Sequence, residues 1–459
     1  MKYHFIGIGG ISMSGLAGLM FDMGFQITGC DLKKFKTPSN SAGKQNSKLK
    51  VFEGHSTDHI TKDLDGVIVT AAALHENSPA KTEIAKSKEL KIPIIKRSEM
   101  IGRLMNDKIG IAVAGMHGKT TVSTMIALIL EHAGLDPTAL IGSDVKEWGK
   151  NYRFGEGKYF VTEACEYARQ MLDFRPKIEV ITNIEAEHLD TYPGGIKDIK
   201  QAFKKFIKLL PKKGMLIVWR EDKNLMALAS IAKKKKLKVK DVSLKKPWSG
   251  LKLIIPGAHN LLDATIAARV CHEIGVSKKV IIETLNNYSG AARRFEIKGV
   301  KNGVTVIDDY GHHPTEIRAT VEAAREYMDK LKTKDLRPKT ELSNTSSVLR
   351  HKLIVVFQPH QYSRTKLLFN DFVNAFKGVD KLIITDIYLI AGREPHDARA
   401  DFSKELVSSI KNKGVDATYV TGYKEALEEI TKTAEKGDFI VTLGATDIYK
   451  VGEEYLKSK

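Results

Sequence analysis

Cysteine is scarce: Cys30, Cys165 and Cys271 are the three in 459 residues, far apart and without a CxxC pair. That excludes a disulfide framework and suits buried thiols in a reducing compartment. Long apolar runs are missing as well. None approaches the roughly 18 residues of a membrane span, and the longest, such as Met125–Leu130, have core-helix length. No internal repeat or low-complexity tract stands out, which argues against solenoid and fibrous folds. The opening residues read as a strand, Tyr3–Ile8, and not as a signal peptide. The expectation is a cytoplasmic protein without membrane attachment.

Acidic residues fall short of basic ones, leaving a net charge of +18. A nucleic-acid binder would spend such an excess on phosphates. Here the lysines are scattered, and the densest run, Lys233–Lys236, has no aromatic neighbours. The expected partner is therefore a polyanionic small molecule and no nucleic acid. What is present is ordinary globular material, 42% hydrophobic and 28% charged, enough for several cores at about 150 residues per domain.

Strand-like and helix-like segments alternate, which predicts α/β domains with parallel sheets. A first block holds strands Tyr3–Ile8, Gln26–Asp31, Gly66–Ala71 and Pro93–Lys96. After the polar break Asn106–Lys108 a second block opens with strand Ile109–Ala114. It continues through Tyr159–Glu163, Glu179–Thr182 and Met215–Trp219 to helix His259–Ile274. A third starts near Arg293, with strands Phe295–Val300, Val304–Asp308, Leu353–Gln358, Lys381–Asp386 and Phe439–Leu443. Three domains are expected, over 1–107, 108–291 and 292–459. The segment Lys332–His351 has no periodicity and is expected to be a disordered surface insertion.

The strongest local signal is Gly115-Met116-His117-Gly118-Lys119-Thr120-Thr121, between a buried strand and a helix. Backbone N–H groups of such a loop and the helix N-terminus surround phosphates. Lys119 would reach the β/γ-phosphates of ATP and the Thr120 hydroxyl would ligate Mg²⁺. The usual spacing puts its first Gly where Val113 stands, with Gly115 two residues later. A second Gly-rich loop, Gly7 to Gly15, follows the first strand. Gly9, Gly10, Ser12, Met13 and Ser14 would line a pyrophosphate, and Asp31 would take a ribose hydroxyl. Read alone, this loop leaves a nicotinamide dinucleotide open.

Glu163 and His188 follow the strands expected beside the phosphate loop, where carboxyl ends of parallel strands meet ligands. With Thr120 they could form a Mg²⁺ shell. Further on stand Pro256-Gly-Ala-His-Asn260, Arg293-Arg294-Phe295, Asp308-Asp309-Tyr310-Gly-His-His313-Pro314 and Phe357-Gln-Pro-His-Gln-Tyr-Ser-Arg364. Such density of titratable groups at strand ends is hard to explain by packing.

Taken in order, these motifs resemble the Mur ligases of peptidoglycan synthesis, and most closely the branch that adds alanine to UDP-N-acetylmuramate. The resemblance runs nearly end to end. It implies a Rossmann-like UDP-binding domain, a central P-loop ATPase-type domain and a C-terminal Rossmann-like domain that closes over both. It turns the Gly7–Gly15 loop into a UDP cradle. It gives Gly115–Thr121 to ATP, Thr120, Glu163 and His188 to Mg²⁺, and Asn260 and Asp309 to the adenosine. Arg294 would meet the γ-phosphate, and Tyr310, His313 and Arg364 would lie near L-alanine. The implied catalytic set is Lys119, His188, Arg294 and His313, in a monomer or weak homodimer. One departure stands out: where the family commonly reads Glu-Ala-Asp-Glu-Ser-Asp, this chain reads Glu163-Ala-Cys-Glu-Tyr-Ala168.

Overall fold

The computed structural model describes residues 1–32, 49–70, 72–74, 78–188, 191–334, 351–390 and 394–458. The expected insertion at 332–351 falls largely outside them, although the helix Pro314–Lys334 continues through its first three residues. Met1–Ile254 with Leu261–Tyr288 form one compact unit, and Ile255–Asn260 with Ser289–Lys459 form another. Among the described residues, no helix is long and apolar enough to cross a membrane.

The first unit contains two sheets. One comprises β1 (Lys2–Ile6), β2 (Gln26–Asp31), β3 (Leu49–Glu53), β4 (Gly66–Val69) and β5 (Ile94–Lys96). Its order is β3-β2-β1-β4-β5, all parallel. The order reverses at β1, so the Gly-rich loop after β1 sits at the crevice where such sheets receive ligands. The second sheet contains β6 (Ile109–Ala114), β7 (Thr138–Val145), β8 (Lys150–Arg153), β9 (Tyr159–Glu163), β10 (Ile178–Ile181), β11 (Met215–Trp219) and β12 (Lys238–Val242). Its order is β12-β11-β10-β6-β9-β7-β8, parallel except for the β7–β8 hairpin. Since β9 and β10 flank β6, the ends of these three strands converge on the phosphate loop. β6, β9 and β11 keep the ranges expected from their apolar runs.

Helix α1 (Ile11–Asp22) follows the Gly-rich loop and joins the two sheets into one hydrophobic core. A Cβ on Gly15 would stand 2.5 Å from the Asn151 amide, and one on Gly18 2.4 Å from the Tyr152 ring. Asn151 Nδ2 also donates to Ile11 O at 2.8 Å. These two glycines therefore let the α1 backbone approach the Asn151 and Tyr152 side chains of β8. Gly18→Val should lower stability by about 2–3 kcal/mol and the melting temperature by roughly 3–5 °C. Calorimetry of the variant checks this, and an unchanged melting temperature would contradict the packing role.

The second unit carries β13 (Glu296–Lys301), β14 (Val304–Asp309), β15 (Leu353–Phe357), β16 (Lys381–Ile384), β17 (Ala417–Tyr419) and β18 (Phe439–Leu443). The order is β13-β14-β18-β15-β16-β17, with β13 antiparallel. Apolar clusters cover both faces, which is why its central strands read as continuous hydrophobic runs.

Candidate active site

The phosphate loop joins β6 to helix α4 (Lys119–His132). Gly115 has φ +128°, and a Cβ there would lie 2.2 Å from Thr182 Oγ1. This explains the shifted spacing: the position that must be glycine is the one passing Thr182 and Asn183. Gly118 has φ +81° and would press a Cβ against the Asp263 carboxylate at 2.6 Å. Asn183 Oδ1 accepts the N–H groups of Met116 and His117 at 3.1 and 3.0 Å. Thr182 Oγ1 donates to His117 O at 2.5 Å. The loop is thus held open by the strand end beside it. Met116 and His117 have their N–H groups engaged there, while Lys119, Thr120 and Thr121 open the helix, whose first-turn donors lack intrahelical partners.

Lys119 Nζ donates to Gly115 O at 2.5 Å and Met116 O at 3.0 Å, and lies 3.1 Å from Glu166 Oε2. Glu166 is 1% exposed, and its other oxygen stands 3.1 Å from His188 Nε2. Facing a carboxylate, Nε2 is the nitrogen that donates. Burial works against the Lys119 charge, but Glu166 outweighs it and raises the pKa. Burial likewise opposes ionisation of Glu166, yet Lys119 and His188 hold its carboxyl below the ordinary range. Next to them Cys165 is pushed up to about 11 by burial and by the Glu166 charge, so it stays a thiol. Glu163 faces elsewhere: its Oε1 accepts the Gly142 N–H at 2.6 Å. The structure thus brings Glu166, and not Glu163, against Lys119 and His188.

In the first sheet Gly7, at φ +77°, turns the chain, and Cys30 O accepts the N–H groups of Gly7 and Ile8. The Asp31 carboxylate accepts the Gly9 N–H at 2.9 Å, so it shapes the loop directly. Gly10 caps α1, and Ser14 Oγ donates to Ile11 O at 3.1 Å. Ser12 is half-buried at the same turn. Met13, expected at the ligand, is instead in the core, with its N–H on Gly10 O.

Within the second unit, Asp309 is spent on shape. It accepts from Phe295 N at 2.7 Å, Gly311 N at 2.8 Å and Thr320 Oγ1 at 3.2 Å. Asn260 Nδ2 donates to Pro256 O at 2.6 Å, and neighbouring His259 lies in the field of Asp309 and Arg294. The Pro256–Asn260 turn and the Asp309 cluster thus lie in one unit. Arg293 bonds Asp308 at 2.9 Å and Gly444 O at 2.6 Å. Arg294 lies over the Tyr310 ring at 5.1 Å. His313 Nδ1 accepts the Thr315 N–H at 3.3 Å, which places the ring proton on Nε2. Arg364 reaches His360, at 3.3 Å from both Nδ1 and O.

Three family models match in order: the Mur ligase family catalytic domain at 2–109, the Mur ligase middle domain at 113–268, and the Mur ligase glutamate ligase domain at 293–334 and 339–446. A UDP-N-acetylmuramate–L-alanine ligase of Acetivibrio thermocellus is 39% identical over 99% of this chain and 96% of its own. That of Caldanaerobacter subterraneus is also 39% identical, over 99% and 97%. The chain is a Mur ligase. The crystal structure of the UDP-N-acetylmuramate-alanine ligase of Thermotoga maritima superposes with a TM-score of 0.78 at 26% identity, covering 100% of this chain and 98% of that one. The three-domain α/β fold read from the sequence is the fold of this family.

Two residues of this Mur ligase escaped sequence reading. Asn183 lies just past the strand read as Glu179–Thr182, but its loop-clamping role depends on β10 lying beside β6. Glu166 sits three residues past a strand end, in the stretch that departs from the family pattern, and only the turn after β9 brings it inward.

Proposed function

We propose that this chain joins L-alanine to the lactyl carboxylate of UDP-N-acetylmuramate with ATP, in peptidoglycan precursor synthesis, through an acyl phosphate. One observation carries the reading: a phosphate loop with its lysine held charged by a buried carboxylate, in a chain 39% identical to ligases of that name. The loop leads into the N-terminus of the helix Lys119–His132, whose free first-turn N–H groups suit the phosphates of a nucleoside triphosphate. Thr120 and Glu166 supply oxygen donors of the kind Mg²⁺ prefers. Bound there, the ion would neutralise charge on the transferring phosphoryl group.

The lactyl carboxylate attacks the γ-phosphorus, the β–γ P–O bond breaks and ADP leaves, giving the acyl phosphate; the alanine amine then attacks the acyl carbon and displaces phosphate. Lys119 and Arg294 offset the charge that makes this approach of two anions slow. The amine must lose a proton before it attacks. His188, oriented by its Nε2 contact with Glu166, is the group assigned to take that proton. His313, with Nδ1 accepting a backbone N–H, is a donor. Residues 1–107 hold the UDP group, 108–291 the ATP, and 292–459 the amino acid, in a cytoplasmic monomer or weak homodimer.

The test is phosphate release from ATP, measured with UDP-N-acetylmuramate and L-alanine together and each alone, with glycine and L-serine for comparison. Release that needs both substrates supports the reading. Release without the UDP-sugar, or a better rate with a preformed tripeptide, overturns it. Arg364 is assigned to the alanine carboxylate, because its planar fork suits a carboxylate better than an ammonium does. Arg364→Lys should raise the KM for alanine about tenfold or more while changing the KM for ATP less than about twofold. Equal changes in both would refute this role.

A further inference from the structure

A second concentration of chemistry lies in the first domain, on the face of its sheet turned away from α1. Side chains alternate along β1, so Tyr3 and Phe5 enter the core shared with α1 while His4 and Ile6 face the other way. In register with them on β2 stand Thr28 and Cys30. Across that face come His55, His59 in the short turn Thr57–His59, and Glu83 in the first turn of α2 (Lys81–Glu89). His4, Cys30 and Glu83 are fully buried.

The donor atoms converge on one carboxylate. Glu83 Oε1 lies 3.2 Å from Cys30 Sγ, 2.8 Å from His59 Nδ1 and 3.9 Å from His4 Nε2. One donor atom from each of these four residues lies within 4.8 Å of all the others. Ligands about 2.0–2.3 Å from a tetrahedral ion stand roughly 3.3–3.8 Å apart, so small side-chain adjustments suffice. His4 Nε2 is buried, aimed inward and has no hydrogen-bond partner among the described residues. Its other nitrogen is fixed by Thr28 Oγ1 at 2.9 Å, the outer partner that orients ligating imidazoles. His55 Nδ1 holds the second Glu83 oxygen at 2.7 Å, and His59 is stacked on Phe52. A ligating carboxylate and imidazole are thus both braced from behind.

We propose that His4, Cys30, His59 and Glu83 form a structural zinc site that ties β1, β2, the turn before β4 and α2 together. Mixed nitrogen, sulfur and oxygen donors in a closed set of four suit Zn²⁺ and leave no position for substrate. On binding, the thiol releases its proton to solvent. One thiolate and one carboxylate then cancel the ion's charge, so the buried centre is neutral overall. Cys30 also holds the Gly-rich loop, through its carbonyl oxygen, so the ion would stiffen the strand end that shapes that loop.

The test titrates Co²⁺ into the full chain after chelator treatment. One equivalent should give the sulfur-to-cobalt charge-transfer band and the strong visible bands of four-coordinate cobalt, and one equivalent of Zn²⁺ should abolish them. The charge-transfer band should persist in Cys165→Ser and vanish in Cys30→Ser. Zn²⁺ should raise the melting temperature of the wild type by several degrees and leave that of His59→Asn unchanged. Thr28→Val, which removes only the outer partner, should weaken zinc about tenfold or more while keeping the fold. No thiolate band in the wild type, a band that survives Cys30→Ser, or unaltered zinc affinity in both His59→Asn and Thr28→Val would overturn the proposal.

Discussion

Lys119→Ala should lose about a thousandfold in kcat, the scale of removing one principal charge-stabilising group from a transition state. The structure adds a second expectation. Lys119 is the cationic partner of Glu166, itself 1% exposed, and breaking a buried pair from one side costs about 3–5 kcal/mol. The variant should therefore fold but melt well below the wild type. Its deficit should depend on pH with a definite sign. In the wild type the Glu166 carboxyl is held low, so its contribution is present above the unfolded value of about 4.3 and is lost as pH falls through the depressed one. Without Lys119 burial dominates and the carboxyl rises, so the gap to wild type should narrow as pH falls toward about 4. Lys119→Met combined with Glu166→Gln should recover most of the stability and none of the activity. Urea unfolding at several pH values, beside phosphate release, separates the two roles. Near-wild-type turnover in Lys119→Ala would remove Lys119 from the chemistry.

The contrast between what could and could not be read from the chain has a physical cause. β6, β9, β11 and β18 are buried strands, and their apolar runs give them away at the residues observed. β3, β8, β12 and β17 are edge strands or next to solvent, with sequences such as Lys238-Val-Lys-Asp-Val242. One neighbour and one wet face leave no hydrophobic signature, so they were passed over. The same holds at the site. Lys119, Thr120 and the loop glycines are legible because phosphate binding constrains consecutive residues. Gly15 closes the loop that reads as a dinucleotide fingerprint, yet it and Gly18 answer to Asn151 and Tyr152, some 130 positions along the chain. Asp309 reaches the adenosine assignment only through the family resemblance, and its three hydrogen bonds to Phe295, Gly311 and Thr320 depend on contacts the sequence does not display. What escapes the sequence is whatever depends on two strands becoming neighbours.

Glu166 and Glu163 put that lesson to a direct test. Motif spacing favours Glu163, which ends β9 beside the phosphate loop. Geometry favours Glu166, which meets Lys119 and His188 while the Glu163 carboxylate caps the Gly142 N–H. Glu166→Gln keeps the shape and can still accept a hydrogen bond, but it removes the charge that a hard cation requires. It should lower kcat about a hundredfold or more and raise the Mg²⁺ concentration for half-maximal rate about tenfold or more. Stability should fall only modestly, because Lys119 keeps Gly115 O and Met116 O as partners. Glu163→Gln retains an amide oxygen for Gly142 and should stay within about fivefold of wild type in both quantities, the scale of losing about 1 kcal/mol. Mg²⁺ titrations of the two variants at saturating ATP decide the matter. If Glu163→Gln shows the larger loss and the larger Mg²⁺ requirement, Glu163 is the metal-side carboxylate and Glu166 only a counter-charge for Lys119.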